Sequence, residues 1–226
     1  MTLNVRSSRL IFLAASALAI ATLSGCVTTV PAPIHAAPIH TASATPTTTP
    51  TPTPTPVAAA IVLGAHGLAV ESADHTALGQ ISFATDIATA ATELAAATGE
   101  QPVVTPNPAQ GVCGPRNDYA WGDLDLYTNQ FTIGGSQFNV LVGSKNGGKT
   151  LGGLDILAPG AQGIGAKLSD ALANVPGAIQ ASNGVLLDVQ TDPNLGQWGV
   201  LLAQSSAGTV QMIYAPSPGG AHGSCE

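Results

Sequence analysis

Gly143-Ser144-Lys145-Asn146-Gly147-Gly148-Lys149-Thr150 satisfies the phosphate-loop pattern G-x-x-x-x-G-K-[ST] at every required position. It follows a strand-like run, Phe138-Asn139-Val140-Leu141-Val142. Read as a phosphate loop, it makes the chain an α/β nucleotide binder. A helix would then start after Thr150, with Lys149 on the terminal phosphates and the Thr150 hydroxyl on magnesium. Read as a turn, it belongs to an antiparallel α+β protein. The next residues, Leu151-Gly152-Gly153-Leu154-Asp155-Ile156-Leu157-Ala158-Pro159, carry two adjacent glycines and a proline where that helix should begin. A chain with 26 glycines in 226 residues meets a glycine-dependent pattern readily by chance, and Asn146-Gly147 is a favoured turn dipeptide. The stretch is therefore expected to be a turn between strands Phe138–Val142 and Leu154–Leu157, binding no nucleotide.

Around it, short apolar runs alternate with polar residues. Asp123-Leu124-Asp125-Leu126-Tyr127 has the period of two of an antiparallel strand with one wet face. Strands are expected at Leu68–Glu71, Ile81–Ala84, Trp121–Tyr127, Phe131–Ile133, Phe138–Val142, Leu154–Leu157, Val185–Gln190, Gly199–Gln204 and Thr209–Tyr214. Gly134-Gly135-Ser136 and Ser205–Gly208 read as hairpin turns. One helix is expected over Thr85–Gly99, with cap-type residues at its start and glycine at its end. A second, Gly165–Pro176, carries Leu168, Leu172 and Val175 on one stripe with Ile164.

The chain also repeats itself loosely. Gly67-Leu68-Ala69-Val70 and Gly153-Leu154-Asp155-Ile156 each precede a helix, and Trp121-Gly122 and Trp198-Gly199 each follow one. The long period points to duplicated half-domains, with strand–strand–helix–strand–strand–strand occurring twice in α+β layers. This order of elements is similar to that of the tandem-repeat secreted inhibitors of β-lactamase and related small lipoprotein domains of the cell envelope. The likeness is architectural, without a shared motif.

The amino terminus sets the compartment. Arg6 and Arg9 precede the uncharged run Leu10–Leu23, which is shorter than the about 20 residues a spanning helix needs. Residues 1–25 therefore read as a signal peptide. Leu23-Ser24-Gly25-Cys26 resembles the lipobox of bacterial lipoproteins, whose cysteine receives a diacylglycerol and becomes the mature terminus. The resemblance implies lipidation of Cys26 and anchoring on the outer, extracytoplasmic face of the cell membrane. The alternative is an ordinary secretory signal. The alanine- and threonine-rich, lysine-poor usage resembles that of actinobacteria. With Cys26 spent on lipid, Cys113 and Cys225 remain as a pair that an oxidising compartment would join.

Residues 26–57 are expected to form a disordered tether. Thr45-Pro46-Thr47-Thr48-Thr49-Pro50 and the Thr-Pro repeats after it favour polyproline II, reaching up to about 95 Å over residues 27–57. Such stalks are candidates for O-glycosylation. His35 and His40, in the two Ala-Pro-Ile-His copies, lack the fixed geometry a metal needs. Residues 58–226 are long enough for one well-buried α+β domain.

The chain carries a formal charge of −7, and loss of Arg6 and Arg9 takes it to −9. That balance disfavours nucleic acid and adhesion to anionic lipid by charge alone. His66, Glu71, Asp74 and His75 have ligand-type side chains without an established metal spacing. Asp123 and Asp125 fall on one face of an expected strand, as paired carboxylates or as its polar face. No serine stands in a G-x-S-x-G elbow, and His222 lies in a glycine-rich tail. Trp121 and Trp198 are core anchors or, if exposed, a carbohydrate or partner surface. The reading that results is a non-catalytic, membrane-tethered lipoprotein without metal or cofactor, binding an envelope protein, glycan or small ligand. An envelope hydrolase and a solute-binding lipoprotein are its rivals.

Overall fold

Strands β1 (Ala58–Leu63), β2 (Gly67–Ser72) and β3 (Ala77–Ser82) form an antiparallel meander in which Ile61, Leu63, Leu68, Val70 and Ile81 are buried. Helix α1 (Ile87–Thr98) follows, starting and ending where its capping residues dictate. The Asp86 carboxylate accepts from the Thr89 N–H at 3.0 Å, and left-handed Gly99 donates its N–H to the Ala95 carbonyl. Strands β4 (Val103–Asn107), β5 (Arg116–Trp121), β6 (Leu124–Tyr127) and β7 (Asn139–Val142) come next, then β8 (Asp155–Leu157) and helix α2 (Leu168–Asn174). A second meander closes the described chain: β9 (Ile179–Ala181), β10 (Gly184–Asp192), β11 (Gly196–Gln204) and β12 (Val210–Ser217). The computed structural model describes residues 56–109, 114–128, 133–194 and 196–218, all within the unit Pro52–Glu226. The other unit, Met1–Thr51, lies outside the described residues together with Cys26, His35 and His40, as do Cys113, His222 and Cys225.

The fold is α+β. One sheet has the order β3-β2-β1-β8, and the other β4-β5-β6-β7-β12-β11-β10-β9. In the larger sheet each half contributes a helix followed by a four-strand antiparallel meander, and the last strands of the two meanders, β7 and β12, pair antiparallel at the centre. Helix α1 packs on β2, β3 and β6, and α2 packs on β10. One core cluster joins both sheets and both helices. It takes Ile61 and Val70 from the small sheet, Leu94 from α1, Ala171 from α2, and Trp121, Leu126, Val140, Val200 and Leu202 from the large sheet.

Several expectations change. Trp121–Tyr127 is two strands, because Gly122-Asp123 turns the chain back and Trp121 pairs with Leu124. Gly122 holds φ 69°, and a Cβ there would lie 2.7 Å from the Lys149 carbonyl oxygen, so only glycine fits. The two Trp-Gly dipeptides are thus not equivalent: one leads into a turn, and the other lies inside β11. The small sheet holds one parallel pair, β1 with β8. Helix α2 is shorter than expected and has no side-chain cap, and Leu172 is 40% exposed rather than part of a buried stripe. Gly134–Ser136 is a turn in which the Ser136 N–H donates to the Ile133 carbonyl, but Ile133 belongs to no strand.

Candidate functional site

The loop Gly143–Thr150 connects two strands as expected, but it leaves the large sheet at β7 and enters the small sheet at β8, so the strands flanking it do not pair with each other. Its groups are nonetheless committed. Gly147 and Gly148 are consecutive left-handed residues, with φ 71° and 76°. This places the N–H groups of Asn146 and Gly148 around one carboxylate, Asp123, whose Oδ2 accepts from them at 2.6 and 2.8 Å. Asp123 is 3% exposed, and its backbone N–H donates to the Lys149 carbonyl at 3.0 Å. Lys149 pairs with Asp155. The Thr150 hydroxyl donates to the Glu100 carboxylate at 2.7 Å and accepts from the Leu154 N–H at 3.1 Å. A phosphate cradle needs those amides, that ammonium and that hydroxyl, and here the chain's own groups use all of them. No helix follows Thr150 before Leu168.

The expected Asp123/Asp125 pair is therefore not on one strand face: Asp123 turns into the loop, while Asp125 stands on β6. Ladder register gives Asp125 its neighbours. Val103, Ala120, Asp125, Leu141, Tyr214, Leu201, Leu186 and Ile179 are cross-strand partners in succession over all eight strands. Residues adjacent to this row along the chain, such as Trp121, Leu124, Leu126, Val140, Val142 and Leu202, face the core. The row therefore lies on the opposite face of the sheet. Leu201 and Leu186 are buried, Ala120, Asp125, Leu141, Tyr214 and Ile179 are half-buried, and Val103 is 57% exposed.

Asp118 is two residues before Ala120 on β5 and shares the face of Asp125. Its Oδ2 accepts from Asn107 Nδ2 at 2.6 Å, and Arg116 Nε lies 3.8 Å from its Oδ1. Burial pushes the Asp118 carboxyl above the usual carboxylate range, and Arg116 and Asn107 pull it partly back. Burial also raises Asp125, and the charges of Asp118 and Asp123 add to that rise. Among the described residues Asp125 has no hydrogen-bond or ion-pair partner. Sequence reading missed Arg116, Asp118 and Asn107 because β4 and β5 went unread. The signal was the Gly122-Asp123 dipeptide between apolar residues, which suits a two-residue hairpin.

The histidine cluster is taken apart by β2, which places His66 at one end of the strand and Asp74 and His75 at the other. His75 Nδ1 lies 3.4 Å from Glu71 Oε2 on an exposed turn, and the Ser72 hydroxyl binds Asp74, which first of all lowers its pKa. His66 meets the Trp198 ring edge-on, with centroids 5.1 Å apart. Among the described residues no group of three or more His, Cys, Asp or Glu is placed to hold a metal. Both tryptophans are buried. Trp121 Nε1 donates to the Glu100 carbonyl at 3.0 Å, and Trp198 packs with Ala65 and Ile133. An exposed-tryptophan platform for a glycan is thus overturned. Among the described residues no helix is long and apolar enough to cross a membrane. No protein-family model, curated protein or solved structure matches the chain.

Proposed function

We propose that this chain is a lipid-anchored extracytoplasmic protein whose α+β domain binds an envelope partner through the outer face of its eight-stranded sheet, without catalysis. The observation that carries the binding role is the cross-strand row Val103–Ala120–Asp125–Leu141. It is an incompletely covered apolar surface interrupted by one half-buried carboxylate that has no partner among the described residues. Apolar surface left open beside desolvated polar groups is a mark of interaction sites. The hydrolase reading is weakened because Asp123, one of its two carboxylates, is spent on the loop amides. The anchor rests on Leu23-Ser24-Gly25-Cys26 and its resemblance to a lipobox.

Register leaves the expected Cys113–Cys225 bond within reach of the chain. Tyr119, Leu126, Val140 and Ala215 stand in one line across β5, β6, β7 and β12. Arg116 and Pro218 lie three residues from that line toward the same end of the sheet, about 14 Å apart at three strand spacings. The residues from Arg116 to Cys113 and from Pro218 to Cys225 are enough chain to close that gap at about 3.3 Å each.

Two measurements test the reading. Cys26→Ala is expected to leave the chain unprocessed or release it from membranes, and normal anchoring of that variant would remove the lipid. A photo-crosslinking residue at Val103 of the anchored chain is expected to give discrete adducts with envelope components, whereas the same residue at Ser169 gives none. Equal or absent labelling at both positions would remove the binding face.

A further inference from the structure

We infer that the open corner of this face receives a lysine side chain of a protein partner, its ammonium on Asp125 and its methylenes over Ala120; the inference rests on the binding role proposed above. Five large apolar residues are exposed among the described residues: Val57, Val103, Val104, Leu151 and Leu172. Two of them, Val103 and Leu151, flank the β5–β6 turn. Val103 opens β4 and is paired with Ala120, whereas Val104, one residue on, belongs to the other face of the sheet. The backbone N of Leu151 lies 2.9 Å from where a Cβ of Gly122 would be, and its neighbour Gly152 donates to Glu100 at 3.0 Å, just ahead of β4. The β5–β6 turn is thus flanked by exposed Val103 on one side and by Leu151, 66% exposed, on the other.

Within the corner, Ala120 is the smallest side chain of the row and sits between Val103 and Asp125, so the side chain beside the carboxylate is a single methyl. The three aspartates of this region are provided for unequally. Asp123 has two loop amides, and Asp118 has Asn107 and Arg116, but Asp125 has neither hydrogen bond nor ion pair among the described residues. A half-desolvated carboxylate without a partner destabilises the free chain, and a cation supplied from outside removes that cost. Burial also raises its pKa, which fits the same unmet charge.

Charge complementarity fixes the sign of the partner. All 13 Asp and Glu lie in residues 58–226, against the four cations Arg116, Lys145, Lys149 and Lys167. The field of the domain therefore draws basic segments and repels acidic ones. One carboxylate beside a methyl group favours lysine over arginine. A tetramethylene stem can lie along Val103, Ala120 and Leu141 while a compact ammonium meets one carboxylate, whereas a guanidinium fork seeks two parallel acceptors.

The test uses the full anchored chain in intact envelopes. A carbodiimide joins carboxylates to amines in direct contact, and the adducts are mapped by mass spectrometry. The expected result is an amide bond between Asp125 and a lysine of another protein. Asparagine and lysine at position 125 have no carboxyl to couple, so the lost contact is read by the Val103 photo-adducts, whose yield should fall at least about tenfold in Asp125→Asn and Asp125→Lys, as for loss of a desolvated interface charge. Both purified variants are expected to melt no lower than the native chain, which separates lost contact from lost fold. Carbodiimide adducts of the native chain confined to Asp74, Asp170 or other exposed acids, or Val103 photo-adducts undiminished in Asp125→Asn, would overturn the lysine contact. If Val103 photo-adducts persist in that case, the binding face stands and only this inference falls; if they too are missing, both fall.

Discussion

Replacing Asp123 by alanine tests the account of the glycine loop most directly. The substitution deletes the oxygen that accepts from the Asn146 N–H at 2.6 Å and the Gly148 N–H at 2.8 Å. Gly148 is buried, so its N–H would lose its acceptor with no water to replace it; a hydrogen bond to a charged group is worth about 1.5–3 kcal/mol. Asn146 is exposed, and water would recover most of its bond, leaving a loss of about 0.5–1 kcal/mol. The sum is about 3 kcal/mol, or roughly 6–12 °C in melting temperature for a unit of this size. Asp123→Asn keeps one acceptor oxygen and should lose about half as much. Thermal and urea unfolding of the mature chain would measure both. A variant melting within about 2 °C of the native chain would show that the loop does not depend on this carboxylate. ATP binding by the native chain that is lost in Lys149→Ala would restore the phosphate-loop reading.

Asp125→Asn should behave in the opposite sense. The folded pKa of Asp125 is raised, so the fold retains a proton that the unfolded chain has lost, and native stability falls as pH rises from about 4 through the folded value. The variant should therefore be the more stable at neutral pH and lose that advantage below about pH 4; Asp118 and Arg116 face the site in both proteins. A variant less stable than the native chain at pH 7 would refute this. Pro106 has no N–H to give β5, so its side of β4 must be the open edge, which places Pro102, Val104 and Pro108 on that edge with it. Pro106→Thr together with Pro108→Thr should expose a pairing edge and raise self-association in light scattering, whereas a variant as monodisperse as the native chain would remove the argument. The mature chain should weigh about 2 Da less before reduction than after if Cys113 and Cys225 are bonded, and no difference would break that pairing.

Local signals were legible in this sequence, and long-range ones were not. Helix α1 was readable because Asp86 and Gly99 act within a few residues of the backbone groups they cap. The burial alternation of Leu124, Asp125, Leu126 and Tyr127 follows from the pleat alone. In contrast, β1 finds β8 across six intervening strands and helix α1, and nothing in Ala58–Leu63 announces a parallel partner at Asp155–Leu157. Strand β5 was hidden by its own hairpin, since Trp121 and Leu124 read as one run until Gly122-Asp123 is taken as the turn. The same Trp-Gly dipeptide then misled twice, because a residue pair carries no record of whether it bends or continues a strand.

The candidate site divides along the same line. Asp125 could be found from alternation, but its neighbours Asp118 and Ala120 required the register of β5. The partner of Asp123 was beyond side-chain reasoning altogether, because the groups that bind it are backbone amides of Asn146 and Gly148. The phosphate-loop pattern is a statement about such amides: glycines in left-handed conformations turn successive N–H groups toward one anion. Gly147 and Gly148 hold such conformations here, and the alternate N–H groups of Asn146 and Gly148 meet one anion while that of Gly147 donates to the Ser144 carbonyl, so the pattern reported an anion-binding loop. It could not report that the anion is a carboxylate delivered by a turn some twenty residues earlier, and a site so filled leaves the acceptor face of the sheet, where Asp125 is unmatched, as the place to look for a ligand.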